Sequence, residues 1–374
     1  MSRKQGMDVV FDLATAGDDA AIRRILRSNP VPGSVTVTYE REPNYFLGCG
    51  TMGGSWQVVV GRRQPDGAIV GFGCRAIRRL FVNGCLQQVG YLSQLRVDKP
   101  FRGNWLVSRG FRFLHQLHQA APAPAYLASI TEENVVARGL LVDRPRGRLP
   151  AFREVDRLHT LALIVRSPKA LPAAPYDIAR GSPADLAAII AFLREHGAAK
   201  QFFPTYDVDG FGGDSATCGF RVDDFIVVRS RGAVVGVIGL WDQSAYKQTV
   251  VQAYSGWLGR ARPLYNAGAG LLGAQPLPEA GQAIRSIYAS FVCVADNDPA
   301  IFQALLQSAY NLAAQRKYAF LIIGLSVRDP LLRIARRYAH ITYRSRLYLV
   351  CWQDGEGFHE RLDNRVPYID VATL

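Results

Sequence analysis

The residues best suited to chemistry lie in one run, Tyr91–Gln119, which reads YLSQLRVDKPFRGNWLVSRGFRFLHQLHQ. It begins as an alternating strand, with Leu92, Gln94 and Arg96 on one side and Tyr91, Ser93, Leu95 and Val97 on the other. A turn carrying Pro100, Arg102 and Gly103 follows, and then Leu106, Val107, Phe111, Leu114 and Leu117 recur at helical spacing. A strand, a basic glycine-containing turn and a helix start together can hold a phosphate. The free amides of a helix start point outward and the helix dipole favours negative charge there. Lys99 and Arg102 add point charges. The plain alternative is a strand–loop–helix joint with no ligand. A second candidate is the stretch around Asp242, Tyr246 and Lys247, continuing to Tyr254, Trp257 and Tyr265. Polar groups interleaved with aromatics suit a pocket wall or lid that takes a charged substrate, or else a hydrogen-bonded hairpin between domains.

The remaining polar residues point to fewer chemistries. Six cysteines, Cys49, Cys74, Cys85, Cys218, Cys293 and Cys351, form no C-x-x-C pair and stand apart from histidine, so no metal site is expected. Cys74, Cys293 and Cys351 lie in apolar strand-like runs and read as buried thiols of a reducing, cytoplasmic compartment. His115 and His118 lie well inside a helix and read as packing or surface residues. The chain has 44 Lys and Arg against 31 Asp and Glu, a net charge of +13. Arg138, Arg144, Arg146, Arg148, Arg153 and Arg157 cluster together. The excess suits a solvated surface first, an anionic cofactor second and nucleic acid third, because no nucleic-acid motif or interleaved stacking aromatics accompany it. No apolar run is long enough to cross a bilayer, and the N-terminus has no secretory core segment.

A chain of 374 residues is expected to form two domains. Val9–Leu13 reads as a weak strand, and Asp18-Asp19 opens a helix carrying Ile22, Ile25 and Leu26. Residues 31–55 read as irregular and pocket-forming. Strands at 56–61 and 68–77 flank the turn Gln64-Pro65-Asp66-Gly67. After the central run come a strand at 125–130, a short helix to Leu141 and a strand at 158–165. Residues 166–175, RSPKALPAAP, form a linker.

Then the order repeats. Val70-Gly71-Phe72 is echoed by Val235-Gly236-Val237, and Tyr91–Val97 by Tyr288–Val294. Ser129-Ile130-Thr131 is echoed by Gly324-Leu325-Ser326, and Asn134 by Asp329. The expected fold is therefore a mixed α/β one in two tandem units, each a mostly antiparallel sheet flanked by helices. They span residues 1–168 and 174–374, with an insertion near 241–287 in the second.

The words Leu95-Arg96-Val97-Asp98-Lys99-Pro100-Phe101-Arg102-Gly103 and Ser129-Ile130-Thr131-Glu132-Glu133-Asn134, in this element order, resemble the GNAT superfamily of acetyl-CoA-dependent N-acyltransferases. Val97 and Arg102 keep the spacing between the family's fourth strand and its R/Q-x-x-G-x-G/A turn; the two later glycines fall on Trp105 and Val107. A tryptophan there would narrow the cradle or stack beside the adenine. In the second unit the matching turn, Ala295-Asp296-Asn297-Asp298-Pro299, has no glycine and no base, and its aspartates would repel a pyrophosphate.

The resemblance implies direct acetyl transfer from acetyl-CoA to an amine, with the cofactor site in the first unit and a degenerate second unit. Arg102, Gly103, Asn104, Trp105 and Leu106 would hold the pyrophosphate. Leu95, Arg96 and Val97 would line the pantetheine, with the Leu95 amide at the thioester oxygen, and Asn134 would touch the cofactor arm. The family's tyrosine after that asparagine is missing from Val135–Leu140, which leaves Glu132 and Glu133 as candidate bases or as acids favouring a helix start. Asp242, Tyr246 and Lys247 are the substrate-side candidates. The expected partners are acetyl-CoA and a small-molecule or peptide amine, with no membrane and no nucleic acid; oligomerisation stays open. Two other classes fit the same pattern: a non-catalytic binding or scaffold protein of this fold, and a Fem-type aminoacyl-tRNA-dependent transferase.

Overall fold

The computed structural model describes residues 8–143, 149–171, 175–209, 211–213, 216–270 and 273–374, and for Asn104 and Leu258 only the backbone. The first half runs β1 (Val9–Leu13), α1 (Asp19–Arg27), β2 (Val35–Glu40), β3 (Ser55–Arg63), β4 (Ile69–Val82), β5 (Cys85–Val97), α2 (Asn104–Ala120), β6 (Tyr126–Thr131), α3 (Val135–Arg138) and β7 (Ala151–Ile164). The second runs β8 (Asp177–Arg180), α4 (Leu186–Gly197), β9 (Phe225–Ser230), β10 (Ala233–Trp241), β11 (Gln248–Tyr254), α5 (Gly256–Ala269), β12 (Ser286–Val294), α6 (Pro299–Gln315), β13 (Phe320–Ser326), α7 (Leu332–Ala335) and β14 (His340–Cys351).

Local chemistry explains the first-half elements. Thr15 and Asp18 form a capping box ahead of α1. Asp18 also takes two 2.7 Å hydrogen bonds from Arg62, which hold its carboxyl down at about 2. Ile22, Ile25 and Leu26 then bury one helix face. β4 turns into β5 at Asn83-Gly84, where both residues have positive φ (53° and 81°), a conformation that Asn-Gly adopts readily and that matches the twist of a hairpin. This hairpin extends both strands well beyond the sequence expectation.

The sheets of both halves join into one sheet of twelve strands, ordered β1-β3-β4-β5-β6-β14-β7-β13-β12-β10-β9-β8. The halves exchange their last strands. β14 pairs with β6 of the first half, and β7 pairs with β13 of the second. β14 and β7 then pair with each other along their length, from His340↔Leu163 to Cys351↔Ala151. All pairings are antiparallel except β5 with β6 and β12 with β13. Outside this sheet, β2 and β11 form a two-stranded ribbon that ties residues 35–40 to 248–254. Residues 31–55 are therefore more regular than expected, and β11 and α5 occupy the stretch expected as an insertion. The second-half core packs Phe220, Phe225, Trp241 and Phe291 against α4 and α6; the first-half core gathers Ile22, Ile25, Tyr45 and Phe72.

Candidate acyl-coenzyme site

β5 and β6 touch at Gly90↔Tyr126 and Tyr91↔Leu127 and then part. A bulge lies where they separate: Gln94 has φ 57°, and the β4–β5 register slips between Phe72 and Cys74. A bulge bends its strand and re-aims the residues past it. Beyond it Leu95 is 40% exposed. At the vertex, the ring of Tyr126 fills the space over Gly90, where a Cβ would lie 2.0 Å from it. A small cavity at the vertex is lined by Met52, Leu80, Val89, Tyr91 and Phe202, and also by Arg78, Asp370 and Leu374.

β5 leads through the capped turn Asp98–Phe101 to Gly103, which starts α2 without any side-chain cap. Its first amides are thus left for solvent or a ligand. Arg102 folds back over this turn, donating from Nη2 to Asn29 Oδ1 at 2.6 Å and from Nε to the Val97 carbonyl at 3.4 Å. Trp105 is 41% exposed and lies against Gly103, while Leu106 and Val107 turn inward to the core. The side chain of Asn104 lies outside the described residues. Arg96 donates to the Leu95 carbonyl at 3.0 Å, and burial lowers its pKa.

On the other side of the cleft, the Asn134 carboxamide oxygen accepts from the Ala137 amide at 3.0 Å, capping α3. Glu132 lies 3.7 Å from Arg346 and 3.9 Å from Arg157, and Glu133 is exposed. Arg157 and Arg346 share Glu154 as well, so this part of the basic cluster is neutralised; Arg144, Arg146 and Arg148 lie outside the described residues. The structure does not bring Asp242 to Lys247. Asp242 accepts from the Tyr318 hydroxyl at 2.6 Å and from the Ser244 amide at 2.8 Å. Tyr246 is buried and donates to the Cys218 carbonyl at 3.0 Å. Lys247 Nζ donates to the carbonyls of Ala372 and Leu374, each at 3.0 Å, and burial with nearby Arg41 depresses it to about 7. His118 is buried between the Tyr126 hydroxyl (3.0 Å) and Asp354 (2.8 Å), a packing position.

The second half repeats the cleft and closes it. β12 and β13 pair over Ser286–Tyr288 and then part. Phe291, the counterpart of Gln94, has φ 54°, and Gly236↔Val294 repeats the pairing Gly71↔Val97. Here, however, the Phe291 amide donates to Asp370 and the Val292 amide to the Tyr368 hydroxyl, while Val371 packs over Gly324. Asp298 caps α6, taking the Ala300 amide at 2.7 Å and the Ile301 amide at 3.3 Å. Sequence reading foresaw the Asp298 cap. It missed Tyr368 and Asp370, because their partners lie more than seventy residues away.

Among the described residues, no group of three or more His, Cys, Asp and Glu side chains could hold a metal, and no helix is long and apolar enough to cross a membrane.

Neither a protein-family model nor a curated protein sequence matches the chain. Solved structures do. A GCN5-related N-acetyltransferase from Sphaerobacter thermophilus superposes with a TM-score of 0.55 at 16% identity, covering 98% of each chain. A GCN5-related glucosamine N-acetyltransferase region of a fungal GH3 β-N-acetylglucosaminidase gives 0.55 at 16% identity, over 92% of this chain and 38% of that one. Saccharomyces cerevisiae N-myristoyltransferase with bound myristoyl-CoA gives 0.63 at 10% identity, over 96% of this chain and 84% of that one. The chain thus shares the fold of these solved N-acyltransferase structures.

Proposed function

We propose that this protein is an acyl-CoA-dependent N-acyltransferase that moves an acetyl group to an amine, with its coenzyme site at the β5/β6 cleft. The observation that carries this is the junction of a bulged, parting strand pair with an uncapped, arginine-bearing helix start. The α2 amides and Arg102 suit a pyrophosphate. The strand backbone at Leu95–Val97 suits a pantetheine amide arm, as an added strand would pair. The Leu95 amide would polarise the thioester carbonyl as negative charge grows on its oxygen. The vertex cavity, which Arg78 and Asp370 line together with apolar side chains, has room for a small acyl group. Bound acetyl-CoA would supply the activated acyl group. Glu132 and Glu133 remain the proposed proton acceptors for the attacking ammonium, and Asn134 the contact to the coenzyme arm.

We read the chain as two copies of one unit, 1–168 and 174–374, of which the second has given up its ligand. The repeated bulge and register support this.

The test is a thermal-shift titration with acetyl-CoA and, separately, myristoyl-CoA. Acetyl-CoA should raise the melting temperature, and Arg102→Glu should remove the rise. A flat response to both donors would remove the basis of the proposal.

A further inference from the structure

The second half of the chain helps to line the vertex cavity of the first cleft. The volume is about 40 Å³, room for about three water-sized groups and so for the few heavy atoms of an acetyl group. Leu80, Val89 and Leu127 reach it from β4, β5 and β6, whereas Phe202 and Pro204 come from the segment after α4. Phe202 is 1% exposed and belongs to one packed cluster with those three sheet residues. The charged members of the lining are engaged. Arg78 Nη2 donates to the Tyr206 hydroxyl at 3.1 Å. Asp370 accepts from the Ser290 hydroxyl and from the Phe291 and Ala372 amides, each at 3.1 Å. The side chains that remain to meet a ligand are mainly aliphatic and aromatic.

Phe202 sits there against its own backbone preference. Its φ is 66°, a left-handed conformation in which a bulky residue is an outlier. Hydrogen bonds on two sides enforce it. The Phe202 amide donates to the Phe81 carbonyl at 2.7 Å, and the Phe81 amide to the Phe203 carbonyl at 2.9 Å, which ties the segment to β4. The Gln201 amide donates to the Val366 carbonyl at 3.0 Å, and the Tyr368 amide to the Gln201 carbonyl at 2.8 Å, which ties it to the C-terminal stretch. The turn sends adjacent rings to different cores, Phe203 to the second half and Phe202 to the first. Glycine adopts this φ freely. The phenyl ring at 202 is therefore held at a backbone cost, in a place where it takes up space at the cleft vertex.

We propose that Phe202 sets the length of the acyl group, admitting acetyl and excluding longer straight chains. This rests on acyl transfer at the β5/β6 cleft, with the acyl carbons of the thioester directed into the vertex cavity. Each added methylene then needs space that the Phe202 ring occupies. The second half, which has closed its own cleft, thus acts on the first by supplying the ring that limits its donor.

The experiment is calorimetric titration of the full chain with coenzyme A, acetyl-CoA, butanoyl-CoA and hexanoyl-CoA. The parent should bind hexanoyl-CoA about tenfold or more weakly than acetyl-CoA, since even one methylene in an apolar pocket is worth about that factor. Phe202→Gly removes the ring and relieves the φ, and should reverse the order by about tenfold while leaving the affinity for coenzyme A within about threefold. Phe202→Leu, which keeps an apolar side chain, should move the tightest donor to butanoyl-CoA and decides the matter if the glycine variant fails to fold. A parent that binds hexanoyl-CoA as tightly as acetyl-CoA, or folded variants that rank the donors as the parent does, would overturn the proposal and leave the coenzyme site standing. A parent that binds neither coenzyme A nor any of the three thioesters would remove the transfer reading, and the role of Phe202 with it.

Discussion

The β5/β6 and β12/β13 clefts share one backbone design and differ in what fills it. Both strand pairs part after two or three residues, and both carry a positive-φ residue at the matching place, Gln94 and Phe291. At the first, the helix that follows has no side-chain cap, and Lys99 and Arg102 flank its start. At the second, Asp298 caps the helix, and Tyr368 and Asp370 take up the strand amides. The geometry of a cleft is thus separable from its chemistry. The fold supplies two such openings, and only the first leaves the start of its following helix without a side-chain cap.

This contrast can be broken from either side. The largest effect is expected from making the first cleft resemble the second. Gly103→Asp caps α2 and places a carboxylate where the pyrophosphate would sit; the new Cβ meets only an ordinary 3.4 Å contact with Trp105. It should abolish a coenzyme stabilisation worth about 2.7 kcal/mol at a hundredfold excess over the dissociation constant, read by thermal shift. Arg102→Glu should do the same, whereas Asn297→Glu, at the corresponding turn of the second half, should leave coenzyme binding unchanged.

Next comes Asp370→Ala, which strips the Phe291 and Ala372 amides of their acceptor. A loss of about 2 kcal/mol in denaturant unfolding is expected from donors left buried and unpaired. Asp298→Ala should cost about 1 kcal/mol by the same measurement, the usual value of a helix cap.

The smallest effect is one of pH. Burial depresses Lys247 from 10.5 to about 7, so between those values the unfolded chain holds more proton at this residue than the folded one. Stability should rise with pH through that window, the penalty being full below about 7 and gone above 10.5. Lys247→Met should flatten this part of the profile; an unchanged slope would mean that the ammonium is solvated.

The parts of the first cleft made of contiguous chain were legible in the sequence. The alternation of Tyr91–Val97, the turn at Pro100–Gly103 and the helical spacing from Leu106 each follow from local periodicity, and the Asp298 cap follows from capping preference. The Asn83-Gly84 hairpin was missed, although that dipeptide marks a primed turn, and the strands on either side of it were drawn too short. The exchange of β7 and β14 was not legible. It pairs Leu347 with Asp156 and Ser129, partners separated by about two hundred residues, and no local pattern records such a choice. The β2–β11 ribbon has the same cause.

One anion-accepting cleft per chain is the central claim, and calorimetric titration with acetyl-CoA tests it most directly. One site per chain is predicted in the parent protein and none in a folded Gly103→Asp variant. Two sites per chain, or undiminished binding by that variant, would contradict it.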